Sequence, residues 1–112
     1  MKGVLTLSLY DTNTIDAIGI DNAKDCVTLA LIDGEDWANE EQHLLLLQEK
    51  LNSYLSFIES GEIVTSYKEA EGRDIEIVIH FKNDVPQTCV SFLGNVKEII
   101  NDAGFMFNYY IG

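Results

Sequence analysis

The 112-residue chain contains very few of the residues on which most recognisable functional sites depend. It has two histidines, one proline and two cysteines, and Cys26 and Cys89 form no CxxC or zinc-like spacing. This scarcity argues against a disulfide-rich scaffold and against a zinc finger. Because both cysteines lie in apolar stretches, we predict two buried, reduced thiols and, as the default, a cytoplasmic protein. The alternative is a single disulfide in an exported protein.

Basic residues are also scarce. Seven lysines and arginines stand against 19 aspartates and glutamates, and the formal net charge is −12. Such a surface repels phosphate backbones and anionic membranes, so we expect no binding to nucleic acid or to membranes. A basic protein is a compatible partner, although acidity also serves solubility. No apolar run approaches the roughly 20 residues of a membrane span, and residues 4–10 alternate as in a strand rather than a signal peptide.

The longest helical pattern in the chain covers residues 37–61. Its apolar residues recur at i, i+3, i+4 and i+7, which predicts an amphipathic helix that faces a core. The members of this stripe are Leu44, Leu47, Leu51, Tyr54, Leu55 and Ile58. Asp36 or Asn39 is the predicted N-cap, and Gly61 is the predicted stop. Three apolar residues outside the stripe are candidate contacts with a second copy of the chain, namely Leu45, Leu46 and Phe57.

Period-two alternation of apolar and polar residues predicts strands in the rest of the chain. The predicted strands cover residues 4–10, 17–21, 26–33, 74–82 and 105–111, and residues 62–72 form a loop or an edge strand. Residues 17–21 and 26–33 form a hairpin around a polar turn. A second amphipathic helix begins near Pro86 and ends at Gly104.

These elements, in the order β-β-β-α-(β)-β-α-β, predict a single α+β domain over residues 1–112. We expect a two-layer sandwich in which two amphipathic helices cover a mainly antiparallel sheet. The alternative is an open sheet with helices on both faces. The predicted core residues are Leu44, Leu47, Leu51, Leu55, Ile58, Ile75, Ile77, Ile79, Phe92, Val96, Ile99 and Ile100.

The helical segment also carries a family resemblance. The motif HLLLLQEKLNSYLSFIESG, at residues 43–61 and preceded by Asp33 and Trp37, resembles a family of small bacterial proteins of unknown function. Its most recognisable residues are Trp37, His43, Gln48, Lys50, Asn52, Tyr54, Leu55, Ser60 and Gly61. The resemblance runs from about Ile15 to Ile111, and it implies no activity.

No local pattern predicts catalysis or metal binding. Glu40 and His43 have the i, i+3 spacing of a carboxylate–histidine metal pair, but a second such pair is missing. Glu76 and His80 likewise have no further residue nearby in the sequence that would complete a metal site. Because no GxSxG, P-loop or GxGxxG string occurs, we predict no catalytic residue, no metal and no cofactor. We interpret His43 as a partly buried histidine that is hydrogen-bonded near the helix start.

Three functional hypotheses follow. The preferred one is a non-enzymatic protein-binding module, and an immunity-like inhibitor that neutralises a basic protein is kept as a specific alternative version of it. Its candidate partner-binding acids are Asp33, Glu35, Asp36, Glu40 and Glu41, which a solvated helix start also explains. The rival is a small-molecule-binding or enzymatic domain that uses His43, Gln48 and Asn52. The third is a purely structural assembly role. A homodimer is a further hypothesis, to which Tyr109 and Tyr110 add apolar surface.

Overall fold

The computed structural model describes residues 9–112, in which four strands form one sheet covered by helices. The strands are β1 (Ala17–Asp21), β2 (Cys26–Asp33), β3 (Asp74–Phe81) and β4 (Met106–Ile111). The helices are α1 (Glu40–Glu59), α2 (Glu62–Ser66) and α3 (Gln87–Asp102), and a 3-10 turn at Lys68–Ala70 follows α2. Of the strand predicted for residues 4–10, residues 9 and 10 form a turn, and the remainder lies outside the described residues.

The sheet has the order β1-β2-β3-β4 and contains both strand directions. β1 and β2 form the predicted antiparallel hairpin, with Ala17 opposite Ala30. β2, β3 and β4 are parallel, in a register that places Leu29, Ile77 and Phe107 side by side. The prediction of a mainly antiparallel sheet is therefore wrong. Each parallel pair is joined through a helix, and a helical crossover returns the chain to the edge where the previous strand began.

The core lies between the helices and one face of this sheet, which confirms the α+β class. Alternation along the strands places every second residue on that face, and the 3.6-residue period of α1 and α3 supplies the opposing side chains. The buried residues include Val27, Leu29, Leu31, Leu47, Leu51, Tyr54, Ile58, Ile63, Ile77, Ile79, Phe81, Leu93, Ile100 and Phe107. Within residues 9–112, no helix has the length and apolar character needed to cross a membrane.

Most of the predicted core residues are buried, but one is not. Leu47, Leu51, Ile58, Ile77, Ile79, Val96 and Ile100 are buried, and Leu44, Leu55, Ile75 and Phe92 are half-buried. Ile99 is 60% exposed, so its predicted burial is wrong. Successive residues on a helix are rotated by 100°, so the side chain of Ile100, rather than that of Ile99, faces the core. Ile99 consequently lies at the margin between α3 and α1.

Both predicted ends of α1 are confirmed, but the segment after it is helical rather than a loop or an edge strand. Asn39 caps the helix, and its Oδ1 accepts a hydrogen bond from the amide of Gln42 at 3.1 Å. Gly61 follows the helix with a φ of 84°, a left-handed conformation that favours glycine. The resulting turn lets α2 start at once and bury Ile63. Burial of this side chain outweighs the local β-propensity of Ile63 and Val64.

Candidate functional site

A buried pair formed by Asp33 and His43 lies at the C-terminal end of β2. Asp33 is the last residue of β2, and His43 lies in the first turn of α1. The Nε2 atom of His43 is 2.5 Å from Oδ2 of Asp33, and Nδ1 is 2.9 Å from the carbonyl oxygen of Asp36. Because a carbonyl oxygen can only accept, Nδ1 carries a proton and donates it. The two residues are 1% and 4% exposed, so water does not compete for these hydrogen bonds.

The loop between β2 and α1 closes around this pair. The indole of Trp37 stacks on the imidazole of His43, with 3.5 Å between ring centroids and 10° between ring planes. The second oxygen of Asp33 accepts a hydrogen bond from the amide of Glu35 at 3.1 Å. Both ring nitrogens of His43 are therefore engaged with protein oxygens. A ring held in this way has no free nitrogen with which to remove a proton from a nucleophile or to ligate a metal.

A second buried pair joins Lys50 of α1 to Asp16, the residue before β1. The Nζ atom of Lys50 is 2.7 Å from Oδ1 of Asp16, and the side chains are 0% and 1% exposed. The other oxygen of Asp16 accepts a hydrogen bond from the amide of Ile32 at 2.8 Å. The hydroxyl of Tyr54 accepts from the amide of Asp16 and donates to the carbonyl of Ala30. Burial raises the pKa of Tyr54 above its usual range, so this hydroxyl keeps its proton.

A third charged network lies on the sheet face that points away from the helices. Glu76 of β3 is 2% exposed and accepts hydrogen bonds from Nζ of Lys24 and from the side-chain amide of Asn108. The hydrogen bond and charge of Glu76 raise the pKa of Lys24. His80 is exposed and stacks on Tyr110. Within the described part of the chain, no three His, Cys, Asp or Glu side chains come together as a metal site.

Sequence reasoning did not foresee that Lys50 and Glu76 would be buried. A signal for Lys50 was present, because it lies three residues after Leu47 and four before Tyr54, inside the core stripe of α1. Its partner Asp16 is 34 residues away, and nothing local connects the two. For Glu76 we find no signal in the sequence.

Cys26 and Cys89 are buried free thiols. Burial raises the pKa of Cys26, and burial together with the charge of Asp33 raises the pKa of Cys89 to about 12. The thiolate is the nucleophilic form of cysteine, so both groups are inert near neutral pH. This arrangement does not support nucleophilic catalysis by either thiol.

We expect neither thiol to react with Ellman's reagent in the native protein, and both to react after unfolding in guanidinium chloride. The raised pKa of Cys89 also has a consequence for stability. The unfolded chain loses this proton first as the pH rises, so the free energy of unfolding should fall between about pH 9 and about pH 12. Chemical denaturation at several pH values measures the fall, which should be smaller in Cys89→Ala. Native thiols that react as fast as free cysteine would contradict this prediction.

Four of the five acids predicted to bind a partner reach the surface: Glu35, Asp36, Glu40 and Glu41. Asp33 is buried against His43, so it must be removed from this set. Three further exposed acids continue the surface along and beyond α1: Glu49, Glu59 and Glu62. Over residues 35–62 the single lysine or arginine is Lys50, which is buried. We call these seven accessible acids the acidic face.

An apolar groove runs between α1 and α3, beside the acidic face. The two helices start side by side, where the hydroxyl of Thr88 donates a hydrogen bond to the carboxylate of Glu40 at 2.6 Å. The groove has a volume of about 200 Å³ and is lined by Gln48, Leu51, Asn52, Leu55, Phe92, Asn95, Val96, Ile99 and Ile100. Its buried members form the floor, and its three amide side chains form a polar rim. We call this feature the helix groove.

The residues of the rival small-molecule hypothesis do not converge. Gln48 and Asn52 line the helix groove, whereas His43 lines a separate cleft of about 200 Å³ beside Tyr10. Asn52 lies nine residues after His43, which places it on the opposite side of α1. A single site formed by all three residues is therefore not present, and this hypothesis loses its geometric basis.

The three residues predicted to contact a second copy do not lie on one surface. Leu45 is 55% exposed and projects from the solvent side of α1. Leu46 and Phe57 are half-buried and pack against the core, on the flank of α1 that faces residues before β1. They do not form a common surface with Leu45.

The fold and these sites define a class of protein: a small α+β domain with a mixed sheet, in whose described residues buried charges pair with one another and the surface carries both an acidic face and an apolar groove. The chain belongs to the DUF6572 family, a family of unknown function, whose model matches residues 7–112. This membership confirms the resemblance found in the sequence and extends it to residues before Ile15. No curated protein and no solved structure matches the chain.

Proposed function

We propose that this chain is a non-enzymatic protein-binding domain that holds a basic, amphipathic segment of another protein along α1 and α3. The observation that carries the proposal is the acidic face, in which seven accessible acids over residues 35–62 have no accessible lysine or arginine among them. The electrostatic field of these acids has one sign, so it attracts a cationic partner and repels an anionic one. It acts mainly on the rate of association, and salt screens it.

The helix groove supports the apolar half of the proposal. Phe92 is half-buried and Ile99 is 60% exposed, so apolar surface remains accessible between the helices. A partner helix uses side chains spaced at i, i+3, i+4 and i+7 to fill a groove of this kind. At about 200 Å³ the groove is smaller than the roughly 300–1,000 Å³ of a typical small-molecule pocket. It is better suited to one or two side chains of a protein segment than to a metabolite.

The internal pairing of the reactive groups supports the non-enzymatic part. Both ring nitrogens of His43 are bound to oxygens of the protein, and the pKa of Cys89 is raised to about 12. A general base or an activated nucleophile would need the opposite arrangement. The chemistry that this part of the chain favours is recognition rather than bond making.

The test begins with capture of proteins from an extract of the source cells on the immobilised chain, followed by identification of the bound proteins by mass spectrometry. A captured protein is then purified, and its dissociation constant is measured at low and high salt. We expect a basic protein that binds more weakly, and associates more slowly, as salt rises. An acidic or neutral partner with salt-independent binding would contradict the proposal.

Two matched pairs of variants locate the binding surface. Glu41→Lys, Glu49→Lys and Glu59→Lys together should weaken binding at least about tenfold. The same charge change outside the acidic face, at Glu69, Glu71 and Asp74, is the control and should have a smaller effect. For the groove, Ile99→Glu should weaken binding, whereas Val90→Glu, at an exposed apolar position on the opposite side of α3, should not. If a test variant and its control weakened binding equally, the acidic face or the helix groove, whichever that pair tests, would not be part of the binding surface.

A further inference from the structure

We infer that two copies of this chain associate through the outer edge of β4 and continue the sheet across a two-fold axis. β4 is the last strand of the sheet, so one of its edges has no neighbouring strand among residues 9–112. Such an edge presents backbone N–H and C=O groups with which another strand can pair. Natural edges are commonly protected by lysine or proline, yet the sequence of β4, MFNYYI, contains neither a charge nor a proline.

Exposed apolar side chains gather around this edge. Eight large hydrophobic side chains are exposed in the described chain, and four of them belong to β4: Met106, Tyr109, Tyr110 and Ile111. A fifth, Val90, lies on the flank of α3 next to β4. Apolar surface gathered in one place is typical of an interface, whereas scattered single residues are not.

A cleft beside β4 offers room for a side chain of the second copy. It has a volume of about 290 Å³ and is lined by Val90, Leu93, Gly94, Lys97, Phe107, Asn108 and Tyr109. Gly94 has no side chain, and the space where a Cβ would lie is open. The cleft therefore has room for an aromatic ring, and Tyr109, which lies on the same face of the sheet as the cleft, supplies an exposed one. In a two-fold arrangement each copy would fill the cleft of the other.

Charge selects a second copy as the occupant of this edge. Each chain carries a net charge of −12, so two copies repel each other wherever their acids meet. β4 has no acid, and the charged residue that lines its cleft is the basic Lys97. The opposite edge strand, β1, ends at the acid Asp21 and carries none of the eight exposed hydrophobic side chains. Two copies can thus approach at β4 but not at β1, which closes the assembly at two chains.

The first experiment is sedimentation equilibrium of the full chain from about 1 μM to about 300 μM. We expect a mass that rises toward twice the 12.6 kDa of one chain. Added salt should strengthen the dimer, because it screens the repulsion between two anionic copies. Salt should weaken the proposed binding of a basic partner, so each inference can fail without the other. A monomer mass over the whole range, at both low and high salt, would overturn the dimer.

Matched variants and amide exchange place the interface. Tyr110→Lys and Ile111→Lys should each weaken the dimer at least about tenfold, whereas Leu45→Lys and Ile99→Lys, at similarly exposed apolar positions, should not. In the unmodified chain, hydrogen exchange of the β4 amides should slow as the concentration rises from about 1 μM to about 300 μM. This measurement does not depend on how well a variant folds. A dimer whose β4 amides exchange equally fast at both concentrations would refute the β4 interface.

Discussion

Replacing Lys50 with alanine should lower the free energy of unfolding by about 3–5 kcal/mol, because the carboxylate of Asp16 would lose a cation while remaining buried. The loss is a large fraction of the roughly 5–15 kcal/mol that stabilises a typical domain. Chemical denaturation of both proteins, followed by circular dichroism, measures it. A decrease below about 1 kcal/mol would show that the pair is not important for stability.

Two further variants separate the charge effect from lost packing. In the double variant Lys50→Met with Asp16→Asn, both charges are gone and the asparagine oxygen can still accept from the amide of Ile32. We expect this protein to recover most of the stability that Lys50→Ala loses, because no unpaired charge remains buried. Arg73→Ala removes an ion pair with Asp25 that is exposed, and it should cost less than about 1 kcal/mol.

The parts of the fold that local patterns determine could be predicted from the sequence. The 3.6-residue period, Asn39 and Gly61 define α1 within the segment itself. The hairpin of β1 and β2 follows from two alternating runs and a short polar turn. The direction of β3 and β4 could not be obtained from alternation, which is the same in parallel and antiparallel strands. The helices that precede these strands did carry that information, since helical crossovers join parallel strands.

The candidate sites were less predictable, because each depends on residues that meet only in the folded chain. Asp33 and Glu40 have the same charge, yet Asp33 is buried against His43 and Glu40 faces solvent. Composition alone could not separate them. The exposure of Ile99 could not be predicted for a related reason. α3 faces both the sheet and α1, and the apolar stripe of such a helix is wider than the part of the stripe that becomes buried.

Replacing His43 with alanine should destabilise the protein by about 3–5 kcal/mol, since it leaves the carboxyl group of Asp33 buried without its hydrogen-bonded ring partner. Loss of the stacked Trp37 contact adds to the effect. The loop between β2 and α1 should loosen as a result, which faster amide exchange of residues 34–39 would reveal. Chemical denaturation gives the energy, and hydrogen exchange gives the location.

The variant His43→Gln distinguishes a structural ring from a functional one. Glutamine is uncharged but retains an N–H donor that can reach Asp33, so it should restore part of the stability lost in His43→Ala. Partner binding through the helix groove should be unchanged in the folded fraction of both variants, because His43 lines a different cleft. If His43→Ala kept full stability and lost partner binding, the pair with Asp33 would belong to the binding site rather than to the scaffold. The loop it closes would then be the surface that the partner contacts.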